Sequence, residues 1–155
     1  MAATARRAGN QATAQISGFV ESLQEPRTPY ISLERFSAAL GVKRSSMAGI
    51  TGVHRNTLRN PASERLQDRM REMIRVITTT ATLTGDVKKA LYWFRNEPII
   101  DYDHKTPAQL VAEGHADAVM AYLRDLENGA NGGVSPTATC LHFGAVGAGE
   151  GSLRP

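Results

Sequence analysis

KRSSMAGITGVHRNTLRNP, residues 43–61, is the stretch that decides the fold. A short helix is expected from about Arg44 to Ile50, a turn at Thr51–Gly52, and a second short helix from His54 to Asn60. The turn needs a positive φ, which glycine adopts without strain. Ala48, four residues before Gly52, leaves room for the two helices to cross closely, and Val53 and Leu58 pin the second one to a core. Pro61 ends it, because proline cannot continue the hydrogen-bond ladder and restricts Asn60 as well. Together these positions match a helix-turn-helix pattern. Its outward residues are Arg55, Asn56, Thr57, Arg59 and Asn60. Arginine can read guanine edges bidentately and asparagine can read adenine. Lys43, Arg44, Ser45 and Ser46 stand at the start of the preceding helix, where phosphate contacts belong, and Thr57 is a further phosphate candidate. The plainer alternative is a polar, solvated helix of a bundle; the crowding of Arg and Asn favours DNA. His54 is expected near the backbone of the first turn, not on a metal.

Working upstream, Ile16, Phe19, Val20 and Leu23 recur at the spacing of one helix face, and Pro26 and Pro29 stop that helix. Ser32 can cap a helix carrying Leu33, Phe36 and Leu40, with Gly41 after its last apolar position. Downstream, Ser63 can cap a longer helix whose inner face is Leu66, Met70, Met73, Ile74 and Ile77. The run Thr78–Thr80 has poor helix propensity and Gly85 follows, so a boundary between two modules is expected near 78–85. A helix from Asp86 to Arg95 buries Val87, Leu91 and Phe94, and Asn96-Glu97-Pro98 breaks it. Asp101 to Lys105 reads as irregular. Thr106-Pro107 reads as an N-cap with proline at the first helical position. Leu110 and Val111 face inward, and Gly114 ends that short helix. A last helix over 116–127 places Val119, Met120, Leu123 and Leu126 on one side and closes at Asn128-Gly129.

Composition fits this all-α reading. Hydrophobic residues are 41% of the chain but aromatics only 6%, so the core must come from aliphatic side chains and Ala. Residues 1–75 hold 12 Lys/Arg against 6 Asp/Glu, whereas residues 76–155 hold 6 against 9. A basic half joined to an acidic half implies partners of different character. The single cysteine, Cys140, excludes an internal disulfide framework and a cysteine zinc cluster, and fits a reducing cytoplasm. No apolar run is long enough to span a membrane, and the start is not a secretory signal. His104, His115 and His142 lack ligand spacing, so neither metal nor cofactor is expected. Cys140 and His142 lie in a Gly-rich tail that cannot preorganise a nucleophile and base, Asp101, Asp103 and Glu113 form no acid–base pattern, and the Gly144–Gly151 run lacks the strand and helix of a phosphate loop. No catalytic residue is assigned. The resulting division is a flexible arm over 1–14, a helix-turn-helix domain over 15–80, a second module over 81–129 and a tail over 130–155.

Trp93, the only tryptophan, neighbours Phe94 on a helix, so the two point about 100° apart. A lone tryptophan in a small domain is expected in the core; the alternative, if Phe94 faces the core, is Trp93 at its edge or at an interface. The stretch Trp93-Phe94-Arg95-Asn96-Glu97-Pro98-Ile99, then Lys105-Thr106-Pro107-Ala108-Gln109-Leu110-Val111, Gly114, and Ala118-Val119 through Leu126-Glu127-Asn128-Gly129, resembles the toxin-binding domain of Xre/MbcA/ParS-type antitoxins. The resemblance covers about 80–129, and a helix-turn-helix upstream fits the same architecture. It implies a dimeric antitoxin that binds and blocks a RES-domain, NAD-consuming toxin and represses its own operon by binding operator DNA. By that analogy Trp93, Asn96, Pro98, Thr106, Pro107, Leu110 and Gly114 shape the module, and the surface from Gly129 onward approaches the toxin. The chain departs from the family pattern in continuing for 26 residues after Gly129 and in placing His104 where the family's loop often has glycine. The alternative function is a stand-alone transcription regulator whose second module dimerises or senses a ligand.

Overall fold

A computed structural model describes residues 2–131 of the chain. Seven α-helices make up the architecture among them: α1 (Ala2–Leu23), α2 (Leu33–Ala39), α3 (Met47–Thr51), α4 (Glu64–Thr84), α5 (Val87–Asn96), α6 (Pro107–Ala112) and α7 (Ala116–Asn131). Short 3-10 turns at Arg44–Ser46, Arg55–Arg59 and Ile100–Tyr102 join them, and the described residues contain no strand. The fold is all-α. Of the tail expected over 130–155, the first two residues belong to α7, and the rest, with Cys140 and His142, lies outside the described residues.

Helix α4 is the axis. Its buried face runs Leu66, Gln67, Met70, Met73, Val76, Ile77, Thr80 and Ala81, and it packs against α1, α5, α6 and α7. The boundary expected near 78–85 falls inside and just after this helix, and α4 does not break at the threonine run. Thr79, Thr80, Thr82 and Thr84 each donate a hydroxyl hydrogen bond to the carbonyl four residues back, at 2.8–3.0 Å. Those bonds satisfy the hydroxyls inside the helix, and burial of Val76, Ile77, Thr80 and Ala81 outweighs the few tenths of a kcal/mol that each threonine costs in propensity. Gly85, at φ 76, then ends the helix. Residues on both sides of it contribute to one apolar cluster running from Leu23 to Leu123, so 15–80 and 81–129 share a core.

Helix α1 starts at Ala2, within the stretch expected as a flexible arm. Ala2, Ala3, Ala5 and Ala8 are the strongest helix formers, and no glycine or proline intervenes before Gly9. Leu23 is buried, with Ile16 and Phe19 packed against the core, while Arg7, Asn10, Gln11 and Thr13 are exposed. Ser32 caps α2, its hydroxyl accepting from the Arg35 amide, and Gly41 follows at φ 67. Ser63 occupies the N-cap position of α4 without a side-chain cap bond. In α5 the buried face is Ala90, Trp93 and Phe94, with Val87 and Leu91 half-buried. Trp93 and Phe94 are both in the core, at 2% and 0% exposure. Helix α7 does not close at Asn128-Gly129 but carries Gly129 within it to Asn131. Among the described residues, no helix is long and apolar enough to cross a membrane.

Candidate nucleic-acid interface and the C-terminal module

The segment 43–61 forms the expected hairpin of two short helical pieces, with a difference in the second. Gly52 caps α3 at φ 68, and its amide and that of Val53 both reach the Ala48 carbonyl. A Cβ at Gly52 would lie 2.9 Å from the Ala112 carbonyl carbon, 3.1 Å from the Ala112 Cα and closer still to the carbonyl oxygen. The turn therefore sits backbone to backbone on the end of α6, and only glycine meets both demands at once.

The second piece, expected as an α-helix over 54–60, is a five-residue 3-10 turn, Arg55–Arg59. The i→i+3 bonds Thr57 N to His54 O (2.8 Å) and Asn60 N to Thr57 O (3.1 Å) form instead. His54 is the N-cap, its Nδ1 accepting from the Asn56 amide at 3.2 Å, so it lies against the backbone as expected.

Arg44, Ser45, Arg55, Leu58 and Arg59 line one open groove of about 510 Å³. Lys43, Arg55 and Arg59 are exposed, and their side chains form no ion pair or hydrogen bond with the described residues. Arg44 is different. It donates to the Leu58 carbonyl at 3.0 Å and lies 3.6 Å from the Glu34 carboxylate, clamping the start of the hairpin to its end. Asn56 is exposed and Thr57 is half-buried. Asn60 turns away from the groove, its Oδ1 accepting from the Ala62 amide at 3.2 Å, and it lines a separate cavity with Tyr30, Glu34 and Pro61. Of the expected DNA-contacting set, Arg44, Ser45, Arg55 and Arg59 share this groove, Lys43, Asn56, Thr57 and Asn60 do not line it, and Arg44 is a structural clamp.

Gln67 is the residue that sequence reasoning missed. It is 1% exposed, and its side-chain amide makes three hydrogen bonds, all to backbone groups of two other segments. Oε1 accepts from the Ile31 amide (2.9 Å), and Nε2 donates to the carbonyls of Ile31 (3.1 Å) and Pro61 (2.7 Å). A polar residue on the same helical face as Met70 and Ile74 was the available signal, since a buried amide must find partners.

In the second module the expected residues divide between scaffold and surface. Trp93 stacks on Tyr122 with ring centroids 6.5 Å apart and planes at 5°, and Tyr102 meets Tyr122 edge-on at 6.5 Å. Burial, reinforced by Asp101, pushes the Tyr122 hydroxyl up to a pKa of about 12. The Tyr102 hydroxyl donates to the Ala118 carbonyl at 3.2 Å. Thr106 and Gln109 form a capping box, with buried Pro107 at the first position and Leu110 inside. Gly114 takes φ 94 beneath the Arg69 guanidinium. Asn96 and Pro98 are exposed, Asn96 donating to the Tyr92 carbonyl. Tyr92 and Ile100 are exposed apolar side chains, at 52% and 72%.

The loop where His104 stands folds tightly, with Asp103 at φ 54 and His104 at φ 59, closed by the Ile99 amide on the Lys105 carbonyl at 2.9 Å. Lys105 and Glu113 pair at 2.8 Å, which lowers the Glu113 carboxyl and raises the Lys105 ammonium. Among the described residues no cluster of three or more His, Cys, Asp or Glu could hold a metal ion. Comparison with known proteins finds no matching family model, curated protein or solved structure.

Proposed function

We propose that this chain is the antitoxin of a type II toxin–antitoxin pair, a cytoplasmic homodimer that binds operator DNA through the hairpin centred on Gly52 and blocks a RES-domain, NAD-consuming toxin through its C-terminal helices. The observation that carries the reading is the groove in which Arg55 and Arg59 stand without anionic partners among the described residues, on a turn anchored by Gly52 and clamped by Arg44. Cations without partners on a rigid element suit phosphate and base contact, because no ion pair has to be broken and little backbone entropy is lost on binding. The toxin-binding half rests on the resemblance over 80–129. Its signature residues Trp93, Thr106, Pro107, Leu110 and Gly114 have defined structural roles in the fold, and the exposed Tyr92 and Ile100 lie beside signature residues Trp93 and Ile99 in sequence. Large exposed apolar side chains of that kind anchor protein interfaces.

Co-expression tests the whole reading. A RES-domain toxin encoded beside this gene should arrest growth alone and be neutralised and co-purified when this chain is supplied. A neighbouring gene product that is neither toxic nor bound would contradict it.

A further inference from the structure

We infer that Gln67 is the positioning residue that sets the angle of the DNA-reading turn, an inference that rests on the proposed DNA-binding role of residues 43–60. Gln67 lies on α4, outside the hairpin and with no route to solvent. Its Nε2 holds the Pro61 carbonyl at 2.7 Å, immediately after the 3-10 turn that carries Arg55 and Arg59. Its other two bonds grip the amide and carbonyl of Ile31, as a neighbouring strand would, just before Ser32 caps α2. One amide therefore ties the exit of the reading turn, the entry of α2 and the central helix. The orientation of the amide is determined by its surroundings: two carbonyls demand the NH₂ and one N–H demands the oxygen. Arg44 holds the turn itself, three residues earlier, at the Leu58 carbonyl. Removing the Gln67 bonds releases Pro61 from α4 and leaves that clamp in place.

Base readout and phosphate contact differ in their sensitivity to such a change. Bidentate contacts to base edges need the arginine plane placed closely, whereas phosphate attraction is long-ranged and tolerant. Loss of the Gln67 tether should thus weaken discrimination between sequences more than it weakens affinity for DNA in general.

The test compares wild type, Gln67→Met and Gln67→Glu on two probes: a duplex selected by the wild-type protein from a random library, and a scrambled duplex of equal length. Affinities are measured under conditions where circular dichroism shows each variant folded. Gln67→Met keeps the volume and loses all three bonds; its ratio of selected to scrambled affinity should fall about tenfold, with scrambled affinity within about twofold of wild type. In Gln67→Glu the ionised carboxylate opposes two carbonyls, so the ratio should also fall near neutral pH. It should recover to within about threefold of wild type near pH 5.5, because burial raises the carboxyl pKa and the protonated acid regains one donor. That recovery is one a merely structural role would not produce, and it tests the inference even where Gln67→Met does not fold. A Met variant that loses stability but keeps the wild-type ratio, equal losses on both probes, or a Glu variant insensitive to pH would each overturn it. A wild-type protein that selects no sequence and binds no duplex would instead overturn the DNA-binding reading, and this inference with it.

Discussion

Two of the tight corners with left-handed backbone are built differently. At the first, Gly52 has φ 68 and lies against the backbone of Ala112. At the second, Asp103 and His104 take φ 54 and 59 with ordinary side chains, both of them exposed. The difference separates two reasons for glycine. A positive φ costs a residue with a Cβ about 1–2 kcal/mol, which a corner facing solvent tolerates, particularly with Asp. A close approach of two backbones is not tolerated by any side chain. The first corner is where the hairpin of residues 43–61 meets the end of α6, so the glycine there joins the two halves.

The largest test of that contrast is Gly52→Ala. It adds the φ cost to a clash with rigid backbone, and should destabilise the fold by about 3 kcal/mol in urea unfolding. An effect near 1 kcal/mol would mean that α6 yields and that the contact with Ala112 is incidental. Next is the packing behind the second corner. The Tyr122 pKa is raised in the folded state to about 12 from the ordinary tyrosine value of 10.0, chiefly by burial and then by Asp101. Its contribution is fully present below pH about 10 and is lost as pH rises toward 12, because the unfolded chain releases that proton more readily. Wild type should therefore lose about 1–2 kcal/mol over that range beyond what Tyr122→Phe loses, each measured against its own stability at about pH 8. Parallel pH profiles would contradict the burial argument. The smallest effect is at the second corner itself. His104→Gly removes the φ strain but frees the unfolded chain, so a net gain of about 0.5 kcal/mol is expected. A loss would show that the imidazole makes a contact of its own.

The sequence spoke clearly where a local rule acts alone. Apolar spacing located the core of α1, α4 and α7, and Gly41, Gly52, Gly85 and Gly114 all take positive φ. Ser32 and Thr106 cap the helices that follow them, whereas Ser63, read in the same way, makes no side-chain cap bond. Local rules failed where tertiary contacts compete with them. Propensity argued for a break at Thr78–Thr80, but packing on both flanks of α4 carried the helix through. Counting residues between His54 and Pro61 permitted an α-helix, but its hydrogen-bond ring does not close in that span. For the candidate site, residue type identified Arg55 and Arg59 as exposed cations. It did not separate them from Arg44, whose neighbours Leu58 and Glu34 are distant in sequence. Gln67 was hidden for the same reason, since its partners are 36 and 6 residues away.

The central claim is that the hairpin beside Gly52 reads DNA, and Arg55→Ala/Arg59→Ala tests it most directly. Both side chains are exposed and have no partner among the described residues, so the double variant should unfold at the wild-type denaturant concentration. On a duplex from the region upstream of its own gene, fluorescence anisotropy should show affinity reduced about a hundredfold or more, from roughly tenfold for each arginine. The slope of log affinity against log salt should become shallower where either arginine also meets a phosphate. A folded double variant that binds the duplex as tightly as wild type would contradict the account.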